Sequence, residues 1–327
     1  MKKYCTAFFS LMMFLSILFF SASAEGNVYS ILDSSGKHLS SVAGDCSAGD
    51  EYISGDNQHY RITTVNSIEM TAQAEHIGKA EMPDVSWLDP QESVAVSATN
   101  LKKIALYCTH SDESYIKGDG CESIEGRGGI YDIASALRDA LEDRGVTVHL
   151  NETTHLPHDA GAYRRSRQTA LSLLKKMPDA IFDIHRDGIP NPDEYATNVG
   201  GTSMSKIRLL VGKSNQNKEA NLSFAKRIKA VGDKVYPGLI KDIYIGKGTY
   251  NQDLSPRSVL LEFGTHTLSK ERVQASIKPM SEVIYKSMYG GITGSAGSSD
   301  VSSSSKDSNI PNVPPSNQDQ KGSGVSV

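Results

Sequence analysis

Between Leu101 and Gly290 the chain alternates apolar runs of strand length with stretches whose apolar residues recur every three or four positions. The runs KIALYC, VTVHL, AIFDI, IRLLVG and SVLLEF, each bounded by polar or turn-forming residues, predict strands. After Gly128 and Gly129, the residues Ile130, Ile133, Ala134, Leu137 and Leu141 make one apolar face at helical spacing, and the pattern stops at Arg144-Gly145. Tyr163, Ala170, Leu173, Leu174 and Met177 make a second stripe, closed by Pro178. Further helices are expected near Glu219 to Val235 and Ser269 to Tyr289. This alternation predicts an α/β fold, with a mostly parallel central sheet flanked by helices, over residues 99–290.

Outside that region the pattern changes. Residues 25–98 hold short β-like runs (VYSIL, EYISG, HYRITTV) between turn formers, which predicts a small β-rich region ending in the proline-containing linker MPDVSWLDPQESVAVSATN. Residues 1–24 read as two lysines, an apolar stretch and Ala22-Ser23-Ala24, the marks of a signal peptide or, uncleaved, of an N-terminal membrane anchor. Residues 291–327 are rich in Ser, Gly, Asn and Pro with few large apolar side chains, so a disordered tail is expected.

Composition narrows the partners. The chain has 327 residues, 38% hydrophobic, and a formal net charge of -4. With no global basic field, nucleic acid is excluded as the expected partner. Outside the leader only Cys46, Cys108 and Cys121 remain. Two readings stay open for them: a Cys108–Cys121 bridge, or three reduced thiols.

Chemistry gathers at the carboxyl ends of the strands, where open α/β sheets bind ligands. His110 and Glu113 lie in THSDES just past KIALYC, His185 follows AIFDI, and Glu262 closes SVLLEF. Two imidazoles and a carboxylate with a fourth position left for water make a catalytic zinc site, and a further carboxylate serves as general base. Glu262, following apolar residues, suits that last role. Taken singly, each has a bland reading as a hydrogen-bonded histidine or a solvated loop carboxylate. Asp112, Glu122 and Glu125 compete with Glu113 for the carboxylate position. His149, His155, His158 and His266 are assigned ordinary polar roles, with His149 and His266, which flank strand ends, held as reserve candidates. Arg186, beside His185, offers a guanidinium for a substrate carboxylate, and Asn251, before the last strand, an amide for a peptide or N-acetyl group. The Arg164, Arg165 and Arg167 cluster reads as a solvated helix face. Cys108 is the remaining nucleophile candidate, and no GxSxG elbow, P-loop or GxGxxG is present.

With THSDESY, GRGGIYDIASAL, AYRRSRQTALSLL, PDAIFDIHRDGIP, KGTYNQDL and VLLEFGTHT in this order, the chain resembles the stage II sporulation protein P family over about residues 99–290. That resemblance implies a zinc-dependent N-acetylmuramoyl-L-alanine amidase with an added endopeptidase activity on peptidoglycan. It also implies work in engulfment alongside stage II sporulation protein D, a lytic transglycosylase, and the membrane protein stage II sporulation protein M. The site would face the outside of the cytoplasmic membrane. It implies that His110 and His185 are the family's essential histidines and Glu262 its catalytic glutamate, with Glu113 the carboxylate ligand by spacing and Glu125 in contention. Family members often carry a histidine where this chain has Cys108. Two other readings are a zinc carboxypeptidase acting on wall peptides and a non-catalytic wall-binding scaffold.

Overall fold

The computed structural model describes residues 26–89, 102–159 and 161–290. The leader, residues 90–101 of the linker and the tail from residue 291 lie outside them. In chain order the strands are β1 (Val28–Leu32), β2 (His38–Ala43), β3 (Glu51–Ile53), β4 (Gln58–Asn66), β5 (Thr71–Lys79), β6 (Lys103–Tyr107), β7 (Thr147–Asn151), β8 (Ala180–Asp187), β9 (Ala196–Val199), β10 (Thr202–Ser205), β11 (Ile207–Gly212), β12 (Ile240–Gly246) and β13 (Ser258–Thr265). The helices are a single turn α1 (Ile116–Asp119), then α2 (Ile130–Glu142), α3 (Ala162–Leu174), α4 (Lys218–Val235), α5 (Lys270–Ala275) and α6 (Ile277–Tyr289).

Eleven strands form one sheet in the order β2-β1-β5-β4-β3-β12-β11-β13-β8-β6-β7, and β9 and β10 make a separate hairpin. From β6 onward every pairing in the large sheet is parallel except β11 with β13. The five strands and both apolar helical faces expected from the sequence are present, with Ser269 to Tyr289 divided into α5 and α6. Strand β12 was not legible. Its sequence IKDIYIG carries a lysine and an aspartate, and that aspartate is compatible with a sheet interior because the buried Arg208 of the neighbouring strand and Lys241 both pair with it.

The N-terminal strands do not stand apart from the rest. Strand β3 pairs antiparallel with β12, so β1 to β5 extend the same sheet and make it mixed overall. They also pack back on it: Tyr29, Ile31, Val42, Ile62, Ala72 and Ala74 share a core with Leu210, Tyr244 and Leu260. Helix α3 covers the same face through Ala170 and Leu173 against Ala105, Tyr107 and Ile181. The opposite face carries the larger core, with α2, α4 and α6 against Ile104, Leu106, Phe182, Ile184, Leu209 and Leu261. The predicted stripe of α2 is fully enclosed there, and truncating a residue such as Leu137 to alanine costs about 2–5 kcal/mol. Strand β8 is buried along its whole length, and Glu262 alone in β13 is not, so the covered face opens at that position.

Candidate active site

Register places the key side chains before any loop is considered. His185 of β8 pairs with Glu262 of β13, and Glu262 pairs on its other side with Arg208 of β11, which in turn pairs with Asp242 of β12. Partners in adjacent strands face the same side of a sheet. Period-2 alternation adds Asp183 and Asp187 of β8 to that side. The result is a polar row, Asp183, His185, Glu262, Arg208 and Asp242, under the N-terminal strands and α3.

The loop after β6 completes the cluster. Thr109 donates its backbone N–H to Asp183 Oδ1 (2.8 Å) and its hydroxyl to Oδ2 (2.6 Å), which ties the loop to β8. Gly128 and Gly129 let the following chain come close: a Cβ on Gly128 would lie 2.2 Å from the Glu113 carbonyl oxygen. Gly128 N–H then donates to Ser111 O and Ile130 N–H to Glu113 O (2.8 and 3.0 Å). This turn aims Glu113 inward, where it is only 3% exposed.

His110 Nδ1 lies 3.1 Å and His185 Nδ1 3.2 Å from Glu113 Oε1. One ligand atom from each of the three residues falls within 4.8 Å of the others. Ligand atoms on a tetrahedral zinc, each about 2.0–2.2 Å from the metal, stand roughly 3.3–3.6 Å apart; both distances to Glu113 are close to that spacing, so the donor set suits such an ion. The second carboxylate oxygen of Glu113 accepts from the Arg186 backbone N–H (2.8 Å), and His185 Nε2 lies 3.0 Å from Asp183 Oδ1, an ion-pair contact without hydrogen-bond alignment. A carboxylate behind a ligating imidazole fixes its orientation and raises its basicity.

The electrostatics agree with a dication. Burial opposes charge on both partners. The Asp183 and Glu113 carboxylates nevertheless hold the His185 pKa well above the usual histidine range, and His185 and His110 hold Glu113 well below the usual carboxylate range. An excess of negative charge that retains a proton on His185 suits a metal cation at the same place. Burial, with a further push from Asp187, raises Glu262 well above the usual glutamate range. Its Oε2 has no hydrogen-bond partner among the described residues.

The other candidates are placed as follows. Glu125 is exposed and outside the cluster, while Asp112 accepts from Ser123 Oγ (2.6 Å) and faces His158 Nδ1 (3.1 Å). Arg186 is buried on the opposite side of β8 from His185, and its guanidinium donates to the carbonyls of Ser114 and Glu122 (3.3 and 2.9 Å), which gives it a part in holding the loop. The Asn251 amide donates to Tyr163 O and Ser166 Oγ (both 3.0 Å), fastening its loop to α3. Arg167 is clamped on Asp253 (2.7 and 2.8 Å), so the arginine cluster is not simply a solvated face. Cys46, Cys108 and Cys121 are free thiols: Cys108 is enclosed and Cys121 exposed, which corrects the bridged alternative. Burial also drives the Cys108 thiol well above its usual pKa, against a nucleophilic role.

Sequence reasoning passed over Asp183, Arg208 and Asp242. Asp183 was within reach, since it stands two residues before His185 on a strand. His158 was not: its ring stacks on His110 with centroids 3.9 Å apart, a contact only the fold creates. His155, by contrast, spends both ring nitrogens on Cys108 O and Thr169 Oγ1 (2.9 and 2.8 Å), in keeping with an ordinary polar role.

The sequence profile of stage II sporulation protein P matches residues 40–285. The chain belongs to the stage II sporulation protein P family. A relative, stage II sporulation protein P of Bacillus subtilis (strain 168), is 30% identical over 207 residues, covering 58% of this chain and 51% of that protein. The chain thus spans about half the length of the curated relative it matches. Among solved structures, an N-acetylmuramoyl-L-alanine amidase of Nostoc punctiforme aligns at 14% identity and TM-score 0.36, over 57% of this chain and 94% of that one. One from Clostridium difficile 630 aligns at 12% identity and TM-score 0.36, over 58% and 95%.

Proposed function

We propose that the chain is a zinc-dependent peptidoglycan hydrolase that cleaves the amide bond between N-acetylmuramic acid and L-alanine. The observation that carries this reading is the convergence of His110, Glu113 and His185 beside Glu262 in a member of the stage II sporulation protein P family. In this reading His110, Glu113 and His185 hold the metal and Asp183 orients His185. Zinc, when bound, supplies Lewis acidity toward the amide carbonyl and toward water.

Glu262 does the proton work. As carboxylate it accepts a proton from the attacking water while the new C–O bond forms, and as acid it returns that proton to the amide nitrogen as the C–N bond breaks. A carboxyl raised by burial takes up a proton more readily than an ordinary glutamate, which suits it to carry one from water to the leaving nitrogen. Family membership supports the wider setting: endopeptidase activity on stem peptides, engulfment alongside stage II sporulation proteins D and M, and action on the outer side of the cytoplasmic membrane. The apolar leader supports export and lies outside the described residues; among these no helix is long and apolar enough to cross a membrane.

Mass analysis of purified sacculi after digestion tests the reading. Peptides released intact from glycan support the amidase; release of only a terminal residue replaces it with a carboxypeptidase, and no release with a scaffold.

A further inference from the structure

An aromatic corner beside the two histidines has no part in the chemistry described so far. Tyr163 stands in the first turn of α3. Its ring lies 6.3 Å from that of His185, nearly parallel at 16°, and meets the His110 ring edge-on at 5.5 Å. It therefore stands beside both proposed metal ligands at once. The side chain is half-buried, yet its hydroxyl makes no hydrogen bond to any described residue. That hydroxyl is not among the buried polar atoms left without a partner, so it is accessible to an incoming molecule. An unspent O–H here is matched to an atom that arrives with a ligand.

The ring is fixed from behind at some cost. Tyr250 meets it edge-on at 5.3 Å. Tyr250 and Asn251 both hold left-handed backbone, φ 51° and 55°, a conformation that non-glycine residues adopt only at a cost in strain. The Tyr250 ring fits because three neighbours have no Cβ: one on Gly248 would lie 2.3 Å from Tyr250 Cζ, one on Gly212 3.0 Å from Cδ2, and one on Gly246 3.1 Å from the hydroxyl. Asn251 then bonds the Tyr163 carbonyl and Ser166. Backbone strain, three glycines and an amide clamp all serve to hold one aromatic pair against the histidines. A donor that must not reorganise during reaction is held in this way.

We propose that Tyr163 is a further catalytic residue, whose phenol O–H donates a hydrogen bond to the scissile carbonyl oxygen as that oxygen becomes an oxyanion. The assignment rests on the amide hydrolysis proposed above. As the water oxygen bonds to the carbonyl carbon, the C=O electron pair moves onto oxygen. It returns when the C–N bond breaks and the amine leaves with the proton from Glu262. Tyr163 keeps its own proton throughout, donating the hydrogen bond without transferring it.

Tyr163→Phe tests this, since it keeps the ring and its packing and removes only the hydroxyl. With zinc content and thermal midpoint equal to wild type, the variant should lose roughly 10²-fold in kcat with KM unchanged. It should also lose about tenfold or more in affinity for a phosphinate isostere of muramoyl-L-alanine, measured by calorimetry. Products from the wild type judge the amidase reading separately, because the variant-to-wild-type ratio holds for whichever amide is cut. A kcat within twofold of wild type overturns the proposal. So does equal phosphinate binding by the two proteins, or none by the wild type.

Discussion

His185 and Glu262 are register partners on the parallel strands β8 and β13, one the nearest strand neighbour of the other on the same face of the sheet. A proposed metal ligand and a proposed proton carrier are thereby held by backbone hydrogen bonds. Glu113 and His110 come from a loop, but that loop is tied to β8 through Thr109 and Asp183. The site is thus built outward from two strands.

Metal content should divide the cluster. His110→Ala, His185→Ala and Glu113→Ala are expected to abolish stoichiometric zinc, while Glu262→Ala retains it and loses turnover. Glu125→Ala, at an exposed position, should keep both. Elemental analysis of the five dialysed proteins checks this; zinc retained by Glu113→Ala would remove that residue from the ligand set.

Asp183→Asn should weaken zinc affinity by about 10–100-fold without removing a ligand, because the residue behind His185 sets that ring's orientation and basicity. Competition against a chelator of known affinity measures it. Unchanged affinity would reduce Asp183 to a loop anchor.

The acidic limb of kcat/KM should respond to Asp187, because that carboxylate, after burial, is what raises Glu262. Asp187 is also paired with Arg208 (3.0 Å), so Asp187→Asn removes a negative neighbour and leaves the guanidinium's charge less compensated. Both changes favour the Glu262 carboxylate, and the limb should move to lower pH. A pH–rate profile showing an upward shift would contradict the assignment of Glu262 as the titrating base.

Acid stability should depend on Asp242. Burial alone would raise its pKa, but Arg208 and then Lys241 hold it well below the usual aspartate range. A depressed folded-state pKa contributes stability above the unfolded value of about 3.9 that is lost as pH falls through the folded one. Thermal midpoints should fall between about pH 4 and pH 2 in the wild type. Asp242→Asn should be less stable at pH 7, by at most about 3–5 kcal/mol because the buried Arg208 guanidinium loses one of its two carboxylates and keeps Asp187, and should have a flatter acid limb. Calorimetry across that range reads both.

The sequence by itself determined the parallel core strands, the apolar faces of α2 and α3, and the short list His110, Glu113, His185 and Glu262, because period and strand-end position depend on neighbours a few residues away. Tertiary structure decided the rest. Glu113 and not Glu125 faces the histidines because a glycine-permitted approach at Gly128 turns the loop inward. Arg208, Asp242 and the N-terminal strands meet over the site because β3 pairs with β12, far along the chain. Tyr163 and His158 lie against His110 because α3 and the loop before it fold over the same face. Such pairings join residues distant in sequence, and no local pattern records them.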